Sequence, residues 1–217
     1  MNTHLQLDLE QIKSRVFDMA DLAIESIIGS VDSLKNCDVK AAQKVIDSDT
    51  NLDELEKIVD DECIKIIVMK QPAAGDLRFV LSLIKINTDL ERIGDLATNI
   101  AKETIRLGGR QPIKPLIDIP RMSLIAVEMI KDSLMAITEM NAEKAKRVIT
   151  RDKEIDGLNV QIFQELTAMM AENPSRMSQA FSLITVARSL ERIGDHATNI
   201  AERAVYFIEG IDIRHTS

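Results

Sequence analysis

Aromatic residues are nearly missing from this chain of 217 residues: it has no Trp, one Tyr and five Phe. Strands favour aromatic and β-branched side chains, so the scarcity speaks against an all-β sandwich or barrel. Helix breakers are also rare. No Pro precedes Pro72, and Gly29 is the only Gly ahead of it. One dense group of breakers, Gly108, Gly109, Pro112, Pro115 and Pro120, stands at mid-chain. Cysteine is confined to Cys37 and Cys63, in neither metal-type nor CxxC spacing, which predicts free thiols in a reducing compartment. No apolar run approaches the ~20 residues that span a bilayer. Met1–Asp8 lacks the basic and apolar regions of a signal peptide, so the expectation is a cytoplasmic chain without direct membrane insertion. A basic stripe is lacking too. With 35 acidic and 27 basic residues the formal charge is -8, which argues against nucleic acid as main partner. There is no P-loop, GxGxxG, nucleophile elbow or HExxH, and no pair of Glu-x-x-His helices of the di-iron oxidase type. The chain therefore reads as a non-enzyme with no catalytic residues.

The abundance of Ala, Leu, Ile, Met, Glu, Asp and Lys suits helices. Leu52, Leu55 and Val59 recur at helical spacing, with Glu56 as an interruption. Leu77, Val80, Leu81, Ile84, Thr88 and Glu91 are predicted to track one face of a long helix. The pattern predicts six helices, near 8–35, 39–70, 75–107, 116–139, 142–171 and 176–209.

A long internal repeat organises them. Leu90-Glu91-Arg92-Ile93-Gly94-Asp95-Leu96-Ala97-Thr98-Asn99-Ile100-Ala101 recurs 100 residues later, from Leu190 to Ala201, with eleven of twelve positions identical. Apolar packing tolerates swaps of similar volume. It does not require the same polar residues at the same offsets, so the element looks like a site present twice. The segment from Val45 to Asp49 matches Val148 to Asp152 at an offset of 103, and Ser82-Leu83-Ile84 matches Ser182-Leu183-Ile184 at 100. The expected fold is all-α, a tandem duplication of an antiparallel three-helix bundle, with units at 1–109 and 114–217.

Aligning the halves exposes four carboxylate pairs at i, i+4: Asp49/Asp53 and Glu91/Asp95, then Asp152/Asp156 and Glu191/Asp195. Such pairs share one helix face and repel by a few tenths of a kcal/mol each. A di- or trivalent cation would neutralise them, and hard oxygen donors suit Mg, Mn, Ca and ferric iron. The excess of eight acidic residues equals the eight carboxylates in the pairs. A solvated helix face is the alternative source of such pairs. Asn99 and Asn199 are further candidate ligands, with inter-helix hydrogen bonding as the other reading. Gly94 and Gly194 stand inside helices, where Gly costs ~1 kcal/mol against Ala. Close approach of a helix or of metal-bound oxygens would explain them, as would a packing notch. Arg92 and Arg192 point away from the glutamates and read as salt-bridging or partner-facing. His196 has Leu96 at the matching position and reads as structural. Asp212-x-x-His215 falls in the tail and is discounted.

These residues resemble the phosphate-uptake regulator family PhoU. Lys70-Gln71-Pro72, Asp76-Leu77-Arg78, Ile84-Lys85 and Asp89 through Asp95 carry the likeness, together with Asn99-Ile100-Ala101 and the second repeat from Leu190 to Glu202. The resemblance implies tandem three-helix bundles and multinuclear metal clusters on the four pairs, iron first, with Mn, Mg, Zn or Ca as alternatives. It implies a cytoplasmic, homodimeric negative regulator of the phosphate-starvation response. The implied partners are the ATPase subunit of a phosphate ABC transporter and a sensor histidine kinase. A carboxylate-bridged metal store or redox bundle is the alternative function. Two departures separate the halves: Ser189 stands opposite Asp89, and Arg176-Met177-Ser178 opposite Asp76-Leu77-Arg78. Asp76 and Arg78 are thus candidate contacts for a partner on one face only, beside Arg92 and Arg192.

Overall fold

Helix ends fall where the sequence withdraws helical support. The computed structural model describes residues 3–213 and contains α1 (Thr3–Asn36), α2 (Val39–Lys70), α3 (Ala74–Leu107), α4 (Asp118–Thr138), α5 (Ala142–Glu172) and α6 (Met177–Glu209). A 3₁₀ turn, Pro174–Arg176, leads into α6. No strand occurs among the described residues, and no helix there is long and apolar enough to cross a membrane. Arg214 and His215 lie outside the described residues, as do the outer ends of the two expected units. α1 begins ahead of the expected residue 8, because Leu5 extends the buried stripe of Leu9, Ile12 and Val16 by a turn.

The first turn of each half is built the same way. Cys37 is left-handed at φ 57°, and Asp38 and Cys37 donate their N–H groups to the Ser33 and Leu34 carbonyls at 2.8 and 3.2 Å. Met140, at φ 51°, and Asn141 repeat this toward Ile137 and Ala136 at 3.3 and 2.9 Å. Both are Schellman closures. The residue after each, Asp38 or Asn141, then caps the next helix by accepting from Lys40 and Ala41 or from Lys144. The second turns differ. Three residues, Gln71 to Ala73, separate α2 from α3, whereas Asn173 alone separates α5 from the 3₁₀ turn. With α2 also one residue longer than α5, this accounts for the fall in offset from 103 to 100.

Helices α1, α2 and α3 pack on one another, as do α4, α5 and α6, and the two bundles join mainly through α3 against α6. One large buried core runs through both, with a small separate cluster of Ala42, Val45 and Ala101 between α2 and α3. The inner face of α3 is Val80, Leu83, Ile86, Leu90, Ile93, Ala97 and Ile100, each 1% exposed or less. That face lies beside the one expected from Leu77, Leu81, Ile84, Thr88 and Glu91. Leu81 is exposed, and Leu77, Ile84 and Glu91 are half-buried. The difference arises because α3 is covered on three sides, by α1, α2 and α6. Its apolar arc is then too wide for a single-stripe reading. Burying each Leu or Ile of this face contributes about 1.5–3 kcal/mol.

Candidate metal centres

The repeated motif meets the preceding helix at its glycine. A Cβ on Gly94 would stand 3.1 Å from Leu52 Cδ1 and 3.4 Å from Asp49 Oδ1. A Cβ on Gly194 would stand 3.0 Å from both Ile155 Cδ1 and Asp152 Oδ1. Each glycine thus lets α3 or α6 close on the carboxylate of its neighbour, and this places the four acids of each half together. Asp49 and Asp53 of α2 face Glu91 and Asp95 of α3. Asp152 and Asp156 of α5 face Glu191 and Asp195 of α6.

Their mutual influence shows in their proton affinities. Burial, then Asp53 and Asp95, push the Asp49 carboxyl above its ordinary range, against the Thr98 hydroxyl and Lys102. No hydrogen bond of good geometry joins Asp49 and Thr98, whose hydroxyl is buried without a partner. Burial, Asp95, Glu56 and Asp53 raise Glu91, while Arg92 opposes them. In the second half, burial followed by Asp156, Asp195 and Glu191 pushes Asp152 up to about 6. Glu191 and Asp195 are raised as well, by burial first and then by neighbouring carboxylates.

The two clusters are unequal. Arg92 folds back over the first, its Nη1 3.1 Å from Asp95 Oδ2 and its Nε 3.3 Å from Glu91 Oε2. Arg192 makes no such pair and lines a cavity at the α3–α6 seam. Asp152 Oδ1 is buried with no hydrogen-bond partner, as is the Thr198 hydroxyl.

Two matches cover most of the chain: the PhoU domain profile fits residues 16–104 and again 119–204. The chain belongs to the PhoU family. It is 37% identical over 210 residues to a phosphate-specific transport system accessory protein PhoU homolog of Pseudomonas putida, covering 96% of this chain and 82% of that one. It is 40% identical to the homolog of Aquifex aeolicus, across 96% and 94% of the two chains. The fold is shared with the crystal structure of PhoU from Pseudomonas aeruginosa, at TM-score 0.91 and 33% identity over 95% of this chain and 99% of that one. The Streptococcus pneumoniae regulatory protein superposes at 0.89, with 25% identity over 96% and 98%.

Within this PhoU-family chain, some sequence expectations move. Asn199 does not turn to the acids of its own half: its Nδ2 donates to Asp89 Oδ1 at 3.1 Å, across the seam. His196 Nδ1 lies 2.8 Å from the same oxygen. Asn99 is exposed and lines the seam cavity. Eight residues of helix rotate an amide about 80° from the glutamate, far enough to aim both at the other bundle. Arg78, a candidate partner contact, has a buried Nε without a hydrogen-bond partner. It is half-buried against the end of α6, its Nη1 3.5 Å from where a Gly210 Cβ would stand. There a cation meets the negative end of the helix dipole. Asp76 sits in the first turn of α3 and favours the opposite pole in the same way.

Glu56, which interrupts the apolar spacing of α2, adds a fifth carboxylate to the first cluster. Burial, Asp60 and Asp53 raise it. Its spacing of three from Asp53 was the available signal. In the second half Asn159 holds that position. Among the described residues no three His, Cys, Asp or Glu side chains converge tightly enough to ligate one ion as they stand. The donor chemistry nonetheless fits a hard cation. All eight are carboxylates, one carries an orphaned buried oxygen, and Gly194 leaves no Cβ between it and α6.

Proposed function

We propose that this chain is a cytoplasmic, non-enzymatic regulator of phosphate uptake. In this reading it restrains the phosphate-starvation response, as a homodimeric adaptor between the ATPase of a phosphate ABC transporter and a sensor histidine kinase. What carries the reading is likeness at 37–40% identity, across 96% of the chain, to proteins named as accessory to the phosphate-specific transport system. The architecture suits it, since two long bundles present extended, rigid helical faces for docking.

The carboxylate clusters are assigned to cations: Asp49, Asp53, Glu91 and Asp95 in one half, Asp152, Asp156, Glu191 and Asp195 in the other. Iron is the first choice, then Mn, Mg, Zn or Ca. A bound cation supplies the positive charge that cancels repulsion among the acids. The protein's part is geometric. Gly94 and Gly194 admit the neighbouring carboxylate, Thr98 and Thr198 bring a hydroxyl to the same wall, and the buried Leu52 and Ile155 exclude water from beneath. Deleting the gene in its own host tests the regulatory reading. Phosphate-starvation genes are expected to be expressed in high phosphate, and to fall silent again when the chain is supplied from a plasmid. Unchanged expression in the deletion strain would remove the proposal.

A further inference from the structure

The two ends of the α3–α6 seam are equivalent by the repeat and unlike in chemistry. At one end Asp89 joins His196 and Asn199, and Phe79 and Phe207 stack beyond it with ring centroids 4.8 Å apart. At the other end the matching residues are Ser189, Leu96 and Asn99. The Ser189 hydroxyl turns back to the Thr185 carbonyl of its own helix at 3.0 Å. One cavity, of about 410 Å³, lies at the Asp89 end; at this end Asn99 has no such carboxylate across the seam and lines another of about 350 Å³ between the helices.

Three cations line that cavity: Lys102 from α3, and Arg188 and Arg192 from α6. None of the three closes to within 4 Å of a carboxylate among the described residues, although Lys102 acts at longer range on Asp49 and Arg188 and Arg192 on Glu191. The one acid in the wall, Glu103, meets Arg106 at 3.6 Å through Oε1, while its Oε2 is buried without a partner. Lys102 and Arg188 have Glu202 and Thr88 as their counterparts, and the other end sets Lys85 and Arg203 beside Asp89 and Asp212, so the excess of positive charge belongs to this end. In a chain of net charge -8 it is a local reversal of sign. The opposite end supplies an internal comparison. There the position next to the Asn amide holds an anion, the Asp89 carboxylate.

We infer that this cavity binds a small tetrahedral dianion, either inorganic phosphate or the phosphoryl group of a small phosphate monoester. Arg188, Arg192 and Lys102 are its cationic donors and the Asn99 amide its neutral donor. Guanidinium groups suit the role because their planar fork matches two oxygens of the anion at once. The inference goes beyond the regulatory reading and stands or falls on the purified chain, whereas the regulatory reading is decided by gene expression.

Calorimetric titration of the full-length protein at low salt tests it, with inorganic phosphate, sulfate and glycerol 3-phosphate as ligands. Saturable phosphate binding is expected, with competition from sulfate. Arg188→Gln should weaken it about tenfold or more, the effect of losing one charge-assisted hydrogen bond. Ser189→Asp places a carboxylate where the cavity would take its anion and should weaken binding at least as much. Lys85→Gln, in the cavity at the Asp89 end, should bind as the parent does. Tighter binding of glycerol 3-phosphate than of phosphate assigns the site to a monoester, and the reverse order to free phosphate. No saturable binding of either ligand overturns the inference, as does equal affinity in the parent and Arg188→Gln.

Discussion

Asp152 sits among three other carboxylates, and its proton is held more tightly in the folded chain than in the unfolded one. Its carboxyl moves from an ordinary 3.8 to about 6. Between those values the folded state keeps a proton that the unfolded state has released. Stability therefore falls as pH rises through that window, and the penalty is complete above it. In chelator, melting temperature is expected to drop between pH 4.5 and pH 7. Asp152→Asn should flatten that slope and melt higher than the parent at pH 7. A variant with the parental slope would contradict the assignment. The pairing of Asp152 with Asp156 was legible in the sequence, because i, i+4 spacing fixes a shared face. The roles of Glu56, Thr98 and Arg92 were not. Each is defined by what stands on the next helix, and spacing within one helix carries no information about that.

Among the elements, the helix ends were legible to within two residues except at the start of α1, since the turns announce themselves with Asp38, Asn141, Pro72 and Pro174. The faces they bury were less so. α3 touches three neighbours, so the sidedness of its apolar residues depends on packing that its own sequence does not state. The seam with α6 shows the consequence. Asp89 is far in sequence from His196 and Asn199, and the three clasp one end of it. Asp89→Ala would leave the His196 and Asn199 nitrogens, both half-buried, without an acceptor, at a cost of about 1–3 kcal/mol. In a chain of this length that lowers the melting temperature by roughly 2–4 °C per kcal/mol. The double variant Asp89→Ala, His196→Ala should lose less than the sum of the single changes. Strict additivity in thermal melts would show that the two do not interact.

Across the whole molecule, duplication was the clearest thing in the sequence, and it foretold the all-α tandem bundle that the PhoU relatives share. The inequality of the halves was written there too, in Ser189 and Leu96, but its meaning needed α3 and α6 laid side by side. If the two carboxylate clusters act separately, Glu91→Ala with Asp95→Ala should lower bound metal by about half, as expected for distant, independent sites. Elemental analysis of protein purified under matched conditions measures this, and full retention in the double variant would sink the first centre. Inert, stoichiometric metal fits the regulator. Metal that turns over with oxygen fits the redox bundle.

The seam also limits what a simpler molecule could be. Two identical halves related by a twofold axis must make both ends of their contact alike. Such a dimer would have either two copies of an Asp–His–Asn clasp or none. A continuous chain, free to let its halves diverge, can clasp one end and leave the other unclasped. This protein does so with Asp89 and Ser189. Its duplication is thus a route to polarity: the molecule has a front and a back that no symmetric pair of its own repeats could possess.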